Sequence, residues 1–86
     1  MANYKVQIKR SASKELEKIH GRDRERIVEK IRSLAVDPRS HQAKKLSGDE
    51  KYRIRQGDYR ILYKIHDYLV TVVVVKIGHR REVYRS

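Results

Sequence analysis

The chain has 86 residues, enough for one domain around one modest core. Its 22 Lys and Arg against 11 Asp and Glu give a formal charge of +11, and it contains no Cys. A disulfide framework, a thiolate metal site and a cysteine nucleophile are thereby excluded, and a polyanionic partner is implied.

The positive excess is spread along the chain: 13 basic and 8 acidic residues in the first fifty, then 9 and 3 from Lys51 onward. A fold that is basic throughout suits RNA, DNA or the ribosome. An anionic membrane surface fits less well, because the chain has no Trp or Phe to anchor a basic face. The N-terminus lacks the apolar centre of a signal peptide, and the longest largely apolar run, residues 69–75, is too short to span a bilayer. These features predict a cytoplasmic protein with no membrane association.

Tyr4, Val6 and Ile8 alternate with Lys5, Gln7 and Lys9, the period-two pattern of a strand with one buried face. Ser11 or Ser13 is placed to cap a short helix carrying Ala12, Leu16 and Ile19 on one side, with Gly21 as its stop. Ile27, Ile31, Leu34 and Ala35 define a second helix, with Val28 beside them and Pro38 beyond its end. The two helices read as an antiparallel pair. Residues 39–50 are polar and read as a surface connection. Residues 51–55 and 59–65 then read as strands joined by a hairpin turn at Gln56, Gly57 and Asp58. After a turn at 66–68, residues 69–77 are apolar at nearly every position, which predicts a central strand covered on both sides. Gly78 and His79 are expected to break it, and residues 82–84 to add a last short pairing. The whole predicts one α+β domain over 1–86, with a strand, a helical hairpin and an antiparallel meander in one twisted sheet.

No phosphate-binding glycine loop, His-Glu-x-x-His pair or nucleophile elbow is present. The four His (His20, His41, His66 and His79) are widely spaced, so neither a metal nor a cofactor is expected. The informative stretch is the C-terminal half. Strand parity puts Tyr52 and Ile54 on one side and Arg53 and Arg55 on the other, while Tyr59, Ile61, Tyr63 and Ile65 lie opposite Arg60. Arg53, Arg55 and Arg60 can therefore share the face that the helices leave uncovered, with Arg80 and Arg81 returning nearby. Guanidinium groups so arranged make a phosphate cradle. Tyr84 adds a surface for base stacking. Lys44, Lys45, Lys51, Arg81 and His79 are candidates for RNA or ribosome contact. A solvated strand face explains isolated arginines equally well, and Tyr52, Tyr59 and Tyr63 read as core.

The segments YRIRQGDYRILYKI and VVVVKIGHRREVYR, with KKLSGDEKYRI upstream, resemble the RelE family of toxin–antitoxin ribonucleases. The resemblance implies a RelE-like fold and a ribosome-dependent endoribonuclease that cuts mRNA in the decoding site without a metal. It also implies a RelB-like antitoxin as partner, alongside ribosome and mRNA. Carried over by position, it assigns catalysis to Arg53, Arg55, Arg60, Arg80 and Tyr84. Family members often have Lys where this chain has Arg53 and Arg55. Because arginine stays charged, any general base falls to Tyr84 or His79. The same superfamily contains ParE-like inhibitors of DNA gyrase, so a non-nuclease toxin or a plain nucleic-acid-binding module is the alternative.

Overall fold

A computed structural model describes residues 3–46 and 50–79. Strand β1 (Lys5–Ile8) leads into helices α1 (Arg10–Glu17) and α2 (Gly21–Ser33), followed by β2 (Lys44–Lys45), β3 (Lys51–Gln56), β4 (Tyr59–His66) and β5 (Thr71–His79). The strands form one sheet in the order β1-β5-β4-β3-β2. β1 runs parallel to β5, and every other neighbour is antiparallel, so the meander expected from the sequence becomes a mixed sheet. The valine-rich β5 is an interior strand between β1 and β4. Only its Val72, Val74 and Ile77 side is fully buried, so the coverage on both sides expected from its composition is not found.

The helical apolar stripes meet one sheet face. Ala12, Leu16 and Ile19, then Ile27, Ile31 and Leu34, pack with Ile54, Ile61, Tyr63, Val72, Val74 and Ile77. Each large side chain buried there contributes roughly 1.5–3 kcal/mol. Tyr63 is fully buried, stacks on Tyr52 at 5.7 Å, and donates its hydroxyl to the carbonyl of Pro38 at 2.6 Å. Burial pushes its phenol well above the ordinary range, so this donor is permanent. Beyond the end of β1, Glu15 of α1 accepts the N–H of Ile77 at 3.1 Å, fastening the helix to β5.

Four local expectations are corrected. The N-cap of α1 falls on Lys9 with no side-chain cap: the Lys9 N–H still donates to the Val74 carbonyl, and the Lys9 carbonyl accepts the backbone N–H of Ser13. Gly21 does not stop α1; with φ +67° it opens α2. The connection at 39–50 contains β2, which pairs with the outer edge of β3. Gly78 and His79 continue β5 and do not break it, since β4 still offers Arg60 and Tyr59 as partners. The pairing expected at 82–84 lies outside the described residues.

At the end of the sheet where β4 turns into β5, Arg39 forks onto Asp67 at 2.8 and 3.1 Å and reaches the Tyr52 hydroxyl at 3.2 Å. Tyr4 donates to the same carboxylate at 3.0 Å. Arg39, and then Tyr4, hold the Asp67 carboxyl below the usual carboxylate range. The adjoining turn leaves Tyr68 and Leu69 exposed and puts Val70 at φ +47°, a strained conformation for a β-branched residue.

Candidate nucleic-acid interface

Pairing divides the sheet into a face covered by helices and an open face. The open positions of β3 are Lys51, Arg53 and Arg55, and those of β4 are Arg60, Leu62, Lys64 and His66. Across the strands they line up as rungs. Arg55 opposes Arg60, which opposes Gly78; Lys44 opposes Arg53, then Leu62, then Lys76; Lys51 opposes Lys64, then Val73. No Asp or Glu occupies a described strand position on this face.

The hairpin fixes how closely these charges approach. Gln56 and Tyr59 flank a two-residue turn with Gly57 at φ +60°. That makes Gln56:Tyr59 a hydrogen-bonded pair, and alternation makes every open-face pair of β3 and β4 the closer, non-hydrogen-bonded kind. Arg55:Arg60 and Lys51:Lys64 are thus like charges at the shortest cross-strand spacing, and the Arg55:Arg60 repulsion costs about 0.2–1 kcal/mol in the free protein. An anion seated between them would remove that cost.

An irregularity in β5 completes the face. The register shifts between Leu62 and Tyr63, so Val75 is an extra residue between Val74 and Lys76. Val72, Val74 and Ile77 all reach the covered core, and Lys76 and Gly78 are turned to the open side. Without the bulge, Lys76 would share parity with the buried Val72 and Val74. Gly78 contributes no side chain to the Arg55–Arg60 rung, which leaves that end of the face low. Leu62, only 6% exposed, is an apolar floor along which the Arg53 and Lys76 stems can lie. The Nε of Arg60 is shut off from solvent and has no hydrogen-bond partner among the described residues. A buried donor without an acceptor costs about 1–3 kcal/mol, and a phosphate oxygen would satisfy it.

The candidates named from the sequence fall into three groups. Arg53, Arg55, Arg60, Lys44 and Lys51 come together on the open face. Lys45 and His79 lie on the other side: Lys45 opposes Tyr52, and His79 meets the Tyr59 ring edge-on at 5.8 Å in a cleft shared with Glu15 and Lys18. His79 is therefore placed on the side opposite Arg53, Arg55 and Arg60. Arg80, Arg81 and Tyr84 lie outside the described residues. Sequence reasoning missed Lys64 and Lys76. Lys64 was legible, since it shares parity with Arg60; Lys76 was not, because its orientation depends on the bulge.

A family model for the ParE toxin of type II toxin–antitoxin systems (parDE) matches residues 6–84. The chain belongs to this toxin family. Within the wider RelE/ParE superfamily it is also similar to proteins named for RelE. A chain of the crystal structure of the RelBE2 toxin–antitoxin complex from Mycobacterium tuberculosis is 31% identical, with a TM-score of 0.82 over 91% of this chain and 99% of that one. The isolated RelE toxin of E. coli is 29% identical, with a TM-score of 0.79 over 96% and 87%. Toxin RelG of M. tuberculosis is 44% identical over 34 residues, 40% of this chain and 39% of that protein, so the match spans well under half of RelG. This RelE/ParE-type toxin thus carries its open-face arginines on a sheet shared with RelE.

Proposed function

We propose that this toxin is a ribosome-dependent endoribonuclease that cleaves mRNA, working on the open sheet face. The observation that carries the reading is the Arg55–Arg60 pair beside Arg53, on a face whose described strand positions hold no carboxylate. Such a face attracts a polyanion and offers it planar guanidinium donors.

In the proposed reaction the ribose 2′-hydroxyl attacks the adjacent phosphorus. The 5′-oxygen of the next nucleotide leaves, giving a 2′,3′-cyclic phosphate and a free 5′-hydroxyl. The chemistry needs in-line alignment and a partner for charge growing on the phosphorane oxygens. Arg60, whose Nε has no partner among the described residues, is assigned to that charge, joined by Arg80 on the strength of the family resemblance. Arg53 and Arg55 position the backbone, and Tyr84 stacks on or protonates a nucleotide. With His79 on the covered side, the family's tyrosine is the stronger candidate for proton transfer.

By analogy with the relative solved in a toxin–antitoxin complex, the proposed physiological partner is a RelB-like antitoxin that holds the toxin inactive. A second reading, a gyrase-directed toxin without nuclease activity, is favoured by the family model, which is that of ParE.

Primer extension on a defined mRNA, with and without programmed ribosomes, tests the proposal. Cuts that require ribosomes and disappear in Arg60→Ala are expected. An intact transcript, with folded protein that still arrests growth and inhibits supercoiling by purified gyrase, would establish the second reading instead.

A further inference from the structure

We propose that Lys51, Lys64 and Lys76 form a second phosphate subsite, which holds single-stranded RNA beyond the nucleotide bound at Arg55 and Arg60. The inference deepens the nuclease reading by extending its substrate contact along the sheet.

Three observations carry it. Lys51 and Lys64 are directly opposed on the open face, so the register sets two cations side by side there. Lys76 is delivered to the same face by the β5 bulge, diagonal to Lys64 across the β4–β5 pair. Lys51, Lys64 and Lys76 are each partly buried, unlike exposed cations of α2 such as Arg24 and Arg26.

Spacing supplies the rest of the argument. Successive rungs are two residues apart along β4, roughly 6.8 Å. That is about twice the ~3.4 Å that a stacked strand advances per nucleotide. The Lys51–Lys64 rung stands two rungs from Arg55–Arg60, roughly 13 Å along the strands. A backbone laid across the face therefore meets cations again after only a few nucleotides. Between the two sites it passes the rung of Arg53, the buried Leu62 and Lys76.

The test is binding of single-stranded RNA to the full chain by fluorescence anisotropy over a salt series. Deleting one cation that neutralises a phosphate should flatten the slope of log K against log salt by about 0.7. Lys51→Ala with Lys64→Ala is expected to flatten it by about 1.4 and Lys76→Ala by about 0.7, while Arg24→Ala with Arg26→Ala has no effect. An oligonucleotide too short to extend past the arginines should be indifferent to Lys64→Ala. Thermal melts monitored by circular dichroism establish that each variant is folded. An unchanged slope for folded Lys51→Ala/Lys64→Ala overturns the subsite. Ribosome-programmed cleavage separates it from the nuclease reading: a wild type that never cuts, yet shows the Lys64-dependent slope, retains the subsite and loses the nuclease. Where cleavage occurs, Lys64→Ala should raise KM and spare kcat.

Discussion

Replacing Arg60 by Met should make the protein more stable while abolishing its proposed activity. Arg60 faces Arg55 across a closely spaced pair, and its Nε is buried without a partner among the described residues. Removing the repulsion is worth about 0.2–1 kcal/mol. Removing the unsatisfied donor is worth about 1–3 kcal/mol. Methionine keeps a flexible stem of similar reach, so packing is largely preserved. A net gain of about 1 kcal/mol raises Tm by roughly 4–8 °C in a domain of this size. Thermal melts at low salt and at about 1 M salt, where screening acts within ~3 Å, divide the two contributions. The repulsive share should shrink with salt and the donor share should persist. A lower Tm at both salt concentrations would refute the reasoning, making the guanidinium a support of the fold and not a group held ready for a ligand.

Three further outcomes follow from the same structure. Tyr63→Phe leaves the Pro38 carbonyl without its donor and should cost about 1–3 kcal/mol in urea unfolding; an unchanged midpoint would mean that the carbonyl finds another partner. Asp67 has a depressed pKa in the folded state, so its contribution is fully present above the ordinary carboxylate pKa and is lost as pH falls through the lowered value. Wild type should therefore exceed Asp67→Asn in stability at neutral pH and converge with it in acid, and a gap that survives acidification would contradict the ion-pair assignment. Val70→Asn relieves a β-branched residue at φ +47° and should stabilise by up to about 1 kcal/mol, read as a shifted denaturation midpoint; destabilisation would show that the Val70 side chain matters more than its strain.

Much of this architecture is legible in the sequence because period and parity are local. The helical stripes at Ala12, Leu16 and Ile19 and at Ile27, Ile31 and Leu34 are the buried ones. Tyr63 is core by its parity with Ile61, and Arg53, Arg55 and Arg60 fall on the side that parity assigns. What is not legible depends on packing between distant segments. β2 exists only because β3 lends it an edge, and Lys9 occupies the cap because Val74 holds its N–H. The bulge at Val75 accommodates Val74 and Ile77 in one core, and no pattern in a run of valines announces it. His79 escapes sequence reasoning for a related reason: its strand continues past Gly78, so parity, and not nearness to Arg80, decides its face. Motif resemblance reaches the family where residue physics alone reaches only a polyanion-binding sheet.

Placement of charge, and not its amount, sets the proposed working surface, and one matched comparison tests that most directly. Ribosome-programmed mRNA cleavage would be measured for Arg55→Ala/Arg60→Ala and for Arg24→Ala/Arg26→Ala, two variants of equal net charge altered on the open sheet face and on exposed positions of α2. The first is predicted to lose cleavage and the second to retain it. Equal loss in both, or cleavage persisting without Arg55 and Arg60, would contradict the open face as the working surface of this toxin.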